Sequence, residues 1–199
     1  MKASFSKRLG AFLIDMVIVG VVLGIIIFLL PKSENVKVIN QSLNTIYEGV
    51  LDGTMPVKDY MNEFIKLTSE LDKENALQSV CNAFIIIGYF VVFAYINDGR
   101  TFGKQIMKIK VARKDENYLT IKDLLIRAFF NYGLLSMMVS LAFVYILPAT
   151  PYFIITSVIS FLQILIIIAS IFMVLYRKDK RSLSDIFSQT RVIQIEKEV

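Results

Sequence analysis

The 199-residue chain contains no histidine, no tryptophan and a single cysteine, Cys81. Without histidine, neither a Ser-His-Asp triad nor a histidine-ligated metal site can be built. One thiol can supply neither a zinc ligand set nor an intrachain disulfide. Because the sequence also shows no nucleophile-base pair and no metal cluster, we expect no cofactor and no enzymatic activity.

Apolar residues are abundant instead. They make up 55% of the chain, and the mean hydropathy is +0.60, whereas an ordinary soluble domain has an apolar share of roughly 45–50%. They form four long runs, at 9–30, 77–96, 128–147 and 152–176. At about 1.5 Å per residue, each run can cross a hydrocarbon core of about 30 Å as a helix. We therefore predict an all-α membrane protein with four transmembrane helices.

The first run begins close to the amino terminus, where a cleavable signal peptide would also lie. Its apolar stretch is longer than the roughly 7–15 residues of a signal peptide, and no small-x-small cleavage site closes it. We expect it to remain as a transmembrane helix. The resulting division of the chain is 1–30 for the amino terminus and first helix, 31–76 for an extracytoplasmic segment, 77–96 for the second helix, 97–127 for a cytoplasmic basic segment, 128–147 and 152–176 for the third and fourth helices, and 177–199 for a cytoplasmic tail.

The lysines and arginines are distributed unevenly among the segments outside the apolar runs. If the amino terminus is cytoplasmic, 17 of the 22 lie on the inner side and 5 on the outer side, as the positive-inside rule requires. This distribution predicts a multi-pass protein of the cell membrane with both termini in the cytoplasm. It also explains the net charge of +5 by topology and by attraction to anionic lipid headgroups, without a nucleic-acid partner. The predicted contacts with anionic lipid are Lys104, Lys108, Lys110, Arg113 and Lys114.

The extracytoplasmic segment 31–76 carries apolar residues at helical spacing on both sides of a Gly/Pro break at 52–56. This pattern predicts two amphipathic helices joined by a turn. One interpretation is an external cap that receives a ligand or partner. The other is a helical hairpin that packs on itself or on the membrane surface.

The cytoplasmic segment 97–127 alternates apolar and basic residues around Lys108 and Lys110, a pattern typical of a strand. We predict a small β-pairing of 106–113 with the β-branched stretch 190–196. Thr120 and Asp123 have the spacing of a helix N-cap and its acidic partner. The glycine-rich stretch 99–105 is one residue too short for a phosphate-binding loop and lacks its hydroxyl residue, so we predict a simple turn there.

Four separated motifs resemble the bacterial RDD family, which is named for one arginine and two aspartates. They are Arg8 to Asp15, Thr101 to Lys104 with the basic strand ending at Val111, Leu119-Thr120 leading to Arg127, and Arg181 to Asp185 with Thr190 to Val192. The resemblance implies that Arg8 is the family arginine, Asp15 the first aspartate and Asp185 the second, with Asp98 as the other candidate. It also implies a multi-pass protein of the bacterial cytoplasmic membrane, with transport often suggested and cation/proton antiport proposed for some members. The outer hairpin and the fourth helix are not core features of the family.

Asp15 is the one acidic residue within the four apolar runs. A central aspartate costs about 2.5–3.5 kcal/mol on insertion scales, so it indicates a functional site. Arg8 is seven residues away, about 10.5 Å along the helix, which is too far for an easy direct bridge. We expect Asp15 to find its partner in Arg127 or Asn131, and the predicted polar site comprises Arg8, Asp15, Arg127, Asn131 and Asp185.

Two functions fit this polar site. In the first, Asp15 takes up and releases a proton or cation in a transporter or transport-associated protein, which would need a homo-oligomer because four helices offer only a small pathway. In the second, the charged residues form a structural lock. The protein would then be a non-transporting accessory, assembly or protective subunit that binds another membrane protein.

Overall fold

The computed structural model describes residues 2–31, 33–115 and 117–195. The helices and strands, numbered along the chain, are α1 (Phe5–Leu29), α2 (Glu34–Leu51), α3 (Val57–Glu74), α4 (Ala76–Ile96), α5 (Phe102–Ile106), β1 (Ile109–Arg113), α6 (Ile121–Asn131), α7 (Leu134–Phe143), α8 (Ala149–Tyr176), α9 (Leu183–Phe187) and β2 (Thr190–Gln194). Within α4, Gly88–Phe93 forms a π-helical segment.

Three helices, α1, α4 and α8, are long and apolar enough to cross a membrane. In the most apolar stretches of α1 and α8 only 11% of the residues are buried inside the protein. Their remaining side chains face outward and are mostly apolar, as expected when lipid covers them. The prediction of a mostly helical membrane protein is confirmed.

The predicted third transmembrane helix, 128–147, is wrong as one continuous helix. The chain bends by 79° between α6 and α7, at Gly133, whose φ of +70° lies in the left-handed region that favours glycine. With ten residues, α7 is about 15 Å long and too short to span a bilayer alone. The break frees carbonyls at the end of α6, and Gln163 of α8 donates to the Phe130 carbonyl at 2.5 Å. The hydropathy pattern does not reveal the break, because residues 128–147 contain no charged residue. The described residues thus contain three continuous candidate spans, or four if α6 and α7 together form one.

The segment after α1 forms the predicted helical hairpin, with α2 packed against α3 and α3 packed against α8. Polar contacts hold the hairpin to the span ends. The Tyr152 hydroxyl donates to Asp72 at 2.8 Å, and the Tyr145 hydroxyl donates to the Lys73 carbonyl at 3.0 Å. The structure thus shows two helices packed as a hairpin, whereas the extracytoplasmic position of the hairpin and its role as an external cap stay predictions. We call this end of the molecule the hairpin end.

The opposite end carries α5, α9 and a two-stranded antiparallel sheet, and we call it the basic end. β1 pairs with β2 in the register Ile109 to Gln194 through Arg113 to Thr190, and the Ala3 amide donates to the Val192 carbonyl. The predicted pairing of 106–113 with 190–196 is confirmed for 109–113 with 190–194. Ile106, which the predicted strand included, is instead the last residue of α5. Residue 196 of the predicted partner strand lies outside the described residues.

Two further details of the basic end agree with the prediction. Thr120 and Asp123 form a complete capping box at the start of α6. Gly99 adopts a φ of +78° in the turn that leaves α4. Lys2 forms an isolated β-bridge with Ile193, so the two described ends of the chain meet at this end of the molecule.

Candidate functional site

Asp15 lies in the third turn of α1 and is 1% exposed. Three donors surround its carboxylate. Oδ1 accepts from the Tyr89 hydroxyl at 2.6 Å and from the Gly103 amide at 2.8 Å, and Oδ2 accepts from the Thr101 hydroxyl at 2.6 Å. Tyr89 belongs to the π-helical segment of α4, and the other two belong to the start of α5. Asp15 therefore joins three elements of the basic end.

Asp15 acts as the cap of α5, although it lies on a different helix. Thr101 is the N-cap residue, but its hydroxyl bonds to Asp15 and makes no capping bond within α5. Amide groups in the first turn of a helix lack intrahelical partners, and the Gly103 amide finds one in Asp15. A Cβ at Gly103 would lie 2.2 Å from the Ala11 carbonyl oxygen and 2.8 Å from Asp15 Oδ1. Only glycine lets α5 approach α1 this closely.

Asp185 forms a second buried cluster and is 0% exposed. Its Oδ2 accepts from Arg8 Nη1 at 2.7 Å and from the Ser182 amide at 3.0 Å. Its Oδ1 accepts from Arg127 Nη1, which also donates to the Thr190 hydroxyl at 2.7 Å. Asp185 is at once the N3 residue of the α9 capping box and the shared anion of two arginines. The cluster joins α1, α6, α9 and β2.

The two arginines also determine the ionisation of Asp185. Burial by itself opposes the charged carboxylate, but the positive charges and hydrogen bonds of Arg127 and Arg8 outweigh it and lower the pKa of Asp185 to about 2. Asp185 is therefore ionised at neutral pH, and its ion pairs with the arginines stay intact.

A cavity of about 260 Å³ lies next to both clusters. It is lined by α1 and α8 and by residues of α5, α6 and the two strands, and most of its apolar lining comes from α1 and α8. The charged and amide residues that line it are Arg8, Asp15, Lys104, Arg127 and Asn131. Burial, together with the nearby positive charge of Arg127, lowers the pKa of Lys104 to about 8. Among the described residues Lys104 makes no hydrogen bond or ion pair, so its charge faces the cavity without a direct counterion.

The five basic residues predicted to contact anionic lipid lie in different surroundings. Lys110 pairs with Asp98 at 2.6 Å, and Arg113 pairs with Asp115 at 3.0 Å and Asp123 at 3.4 Å. Lys108 and Lys114 are exposed on the surface, whereas Lys104 lines the cavity. Asp98 is exposed, whereas Asp185 is buried and pairs with Arg8.

The structure brings together three of the predicted site residues, Arg8, Arg127 and Asp185. The expected partners of Asp15 are wrong: Arg127 bonds to Asp185, and Asn131 lines the cavity without bonding to Asp15. Sequence reasoning missed the actual partners of Asp15, which are Tyr89, Thr101 and Gly103. Thr101 and Gly103 belong to one of the four motifs that resemble the RDD family. Tyr89 is a single aromatic residue in an apolar run, and no sequence pattern marks it as a partner of Asp15.

The model of one protein family, the RDD family, matches residues 2–189. No curated protein and no solved structure matches the chain significantly. The matched range covers nearly the whole chain, and it includes every residue of the Asp15 cluster and all of the Asp185 cluster except Thr190. The chain therefore belongs to the RDD family of multi-pass membrane proteins.

Proposed function

We propose that this RDD protein is a non-transporting accessory subunit of another membrane protein, in which the charged residues form a structural lock. The observation that carries the proposal is the donor set of Asp15. Its two carboxylate oxygens already accept three hydrogen bonds from Tyr89, Thr101 and Gly103. The carboxylate therefore holds elements of the basic end together, which is a structural task.

The Asp15 site has the wrong chemistry for a cation. Alkali and alkaline-earth cations are bound by several oxygen atoms with free lone pairs, but the groups nearest to Asp15 are donors. The two hydroxyls can rotate, whereas the Gly103 backbone amide cannot become an acceptor. A cation at Asp15 would have to displace this amide and so detach the start of α5.

The charge around the cavity also disfavours a cation. Arg8, Lys104 and Arg127 line the cavity together with Asp15, and Asp185 is the shared anion of the two arginines. The charged groups at the cavity are therefore three cations and two carboxylates, which gives a net charge of +1. At low effective dielectric such an excess repels an entering cation by several kcal/mol at about 4 Å. This balance supports a lock over a cation pathway.

The hairpin end supports the accessory role. Tyr152 and Tyr145 fix α3 to the span ends, so the hairpin has a defined position. Beside its turn it exposes Tyr47 at 56%, Leu51 at 66% and Val57 at 66%. Large apolar side chains exposed on a firmly held segment favour a protein partner that covers them.

Cation/proton exchange is the second candidate, because Asp15 lines the cavity. To separate the two functions, the purified protein is reconstituted in liposomes that contain a pH-sensitive dye, and a sodium gradient is applied. Our proposal predicts no sodium-dependent pH change above that of empty liposomes. An added sodium/proton ionophore verifies that the dye responds.

The matched variants for this assay are Asp15→Asn and Asp98→Asn. Asp98 is a useful control because it is an exposed carboxylate outside both clusters. Flux by the wild type that disappears in Asp15→Asn and persists in Asp98→Asn would contradict the accessory proposal and establish exchange at Asp15.

The accessory role itself predicts a partner that co-purifies from native membranes at a constant ratio. Leu51→Glu places a charge on the apolar surface of the hairpin and should reduce recovery of the partner by about tenfold, because a hot-spot residue contributes about 1–2 kcal/mol or more. Tyr118→Glu is the control, since Tyr118 is 95% exposed outside the hairpin. Equal recovery with both variants, or purification of the wild type without a stoichiometric partner, would refute this role.

A further inference from the structure

The cavity of about 260 Å³ combines a basic surface with an apolar opening. Leu9 and Phe12 of α1 line it on one side and Ile167 and Ile171 of α8 on the other. These side chains are between 39% and 43% exposed, and α1 and α8 do not pack closely against each other. Because both helices are candidate spans, a gap between them would face the hydrocarbon region of a bilayer.

The basic surface of the cavity has unused capacity to bind an anion. Arg8 and Arg127 share the single carboxylate of Asp185, and the oxygens of Asp15 are occupied by other donors. Lys104 makes no direct contact with a carboxylate among the described residues. Arg8 also has a buried Nε atom without a hydrogen-bond partner. Buried cationic donors without partners are costly, and an anion would satisfy them.

We propose that this cavity binds the phosphate group of an anionic phospholipid, with Lys104 as its principal cationic contact. The phosphate lies at the basic end, and the acyl chains leave between α1 and α8 over Leu9, Phe12 and Ile171. The volume is slightly below the roughly 300–1,000 Å³ of pockets for drug-sized ligands, which suits a headgroup whose chains remain outside. A free phosphate ion would use the basic surface but would leave the apolar opening without a role.

The site does not depend on the accessory function, since a lock and a transporter could both hold a lipid. Liposome flux and partner recovery test the function, and lipid selectivity tests the cavity. The accessory function and the lipid site can therefore be refuted independently of each other.

The absence of tryptophan makes the cavity directly measurable. Phe12→Trp places a single reporter in the lining, and Phe161→Trp places one on an exposed part of α8 outside the cavity. Each full-length protein is reconstituted in phosphatidylcholine vesicles with a small fraction of brominated phosphatidylglycerol, or of brominated phosphatidylcholine, as quencher. We expect brominated phosphatidylglycerol to quench the cavity reporter more strongly than the brominated zwitterionic lipid, and the outer reporter to show no such preference.

Variants in the Phe12→Trp background identify the contact. Lys104→Gln should weaken the preference about five- to tenfold, as expected for the loss of one partly buried cation. Lys104→Arg, which keeps the charge, should retain it, and so should Lys108→Gln, which removes an exposed charge close by. Ser170→Phe leaves every charge in place but fills the cavity lining, and it should abolish the preference even if Lys104→Gln does not fold.

Three results would overturn the proposal. Equal quenching by the two lipids at the cavity reporter would mean that no selective site exists. Equal losses in Lys104→Gln and Lys108→Gln would mean that only general surface charge attracts the lipid. Loss of the preference on addition of millimolar inorganic phosphate, at constant ionic strength, would assign the site to a free anion.

Discussion

Replacing Asp185 by asparagine is expected to destabilise the protein by about 3–5 kcal/mol, the cost of removing one partner from a buried ion pair. The variant leaves Arg8 and Arg127, whose side chains are 13% and 9% exposed, without their shared anion. The side chain of asparagine has an NH2 group in place of one carboxylate oxygen. That group would face the N–H donors of one arginine, where no hydrogen bond can form. The unfolding midpoint of the purified protein, followed by circular dichroism in detergent, should fall by roughly 10 °C.

Asp98→Asn is the matched control for this experiment. In the pair of Asp98 with Lys110 the carboxylate side chain is 65% exposed, and ion pairs at the surface contribute about 0–1 kcal/mol. The unfolding midpoint should therefore change little. Similar losses in the two variants would show that Asp185 is no more important than a surface carboxylate, and the lock would have to be abandoned.

The Asp185 cluster also gives a pH signature. The folded-state pKa of Asp185 is about 2, whereas that of an unfolded aspartate is about 3.9. The unfolded state therefore binds the proton first as the pH falls, and the stability that Asp185 contributes is lost between about pH 4 and pH 2. The wild type should lose more stability than Asp185→Asn over this range. Parallel curves for the two proteins would contradict the ion-pair assignment.

Gly103→Ala is expected to have the second large effect, although it adds one methyl group. The new Cβ would lie 2.2 Å from the Ala11 carbonyl oxygen and 2.8 Å from Asp15 Oδ1. The backbone atom cannot rotate away, so α5 must move from α1. This strain costs about 1–3 kcal/mol, and losing the amide bond to Asp15 adds a similar amount.

Gly24→Ala is the control, because a Cβ at Gly24 would meet no atom within 4 Å. In a helix this change should be neutral or slightly stabilising. The unfolding midpoints of both variants, compared with the wild type, provide the measurement. If Gly103→Ala is as stable as Gly24→Ala, the close approach of α5 to Asp15 is not what holds the basic end together.

Hydropathy and charge made much of the architecture predictable. Long apolar runs indicate spans because backbone groups in lipid must bond within a helix, and α1, α4 and α8 lie close to the predicted positions. The hairpin, the β1–β2 pairing and the Thr120 cap also followed from local patterns. The break at Gly133 did not, because its stretch is uncharged and one glycine in an apolar run is common in transmembrane helices.

The polar site was predictable in its residues but not in its partners. Asp15 stands out because a charge in an apolar run is costly, and the resemblance added Arg8, Arg127 and Asp185. Helical spacing correctly separated Arg8 from Asp15. It could not show that both arginines meet Asp185, because these contacts join residues 58 and 177 positions apart.

The sequence by itself determined that this chain is a helical membrane protein of the RDD type, and its lack of histidine and of a second cysteine excluded a Ser-His-Asp triad and an intrachain disulfide. The helical spans depend on composition and local periodicity, which act over one helix or strand at a time, whereas the family rests on four separated motifs and on the match over residues 2–189. Only the tertiary structure decided that Asp15 caps α5, that Asp185 joins two arginines and that Lys104 lines a cavity between α1 and α8. Hydrogen bonds and ion pairs form between atoms about 3 Å apart, and the packing of distant segments is what brings those atoms together.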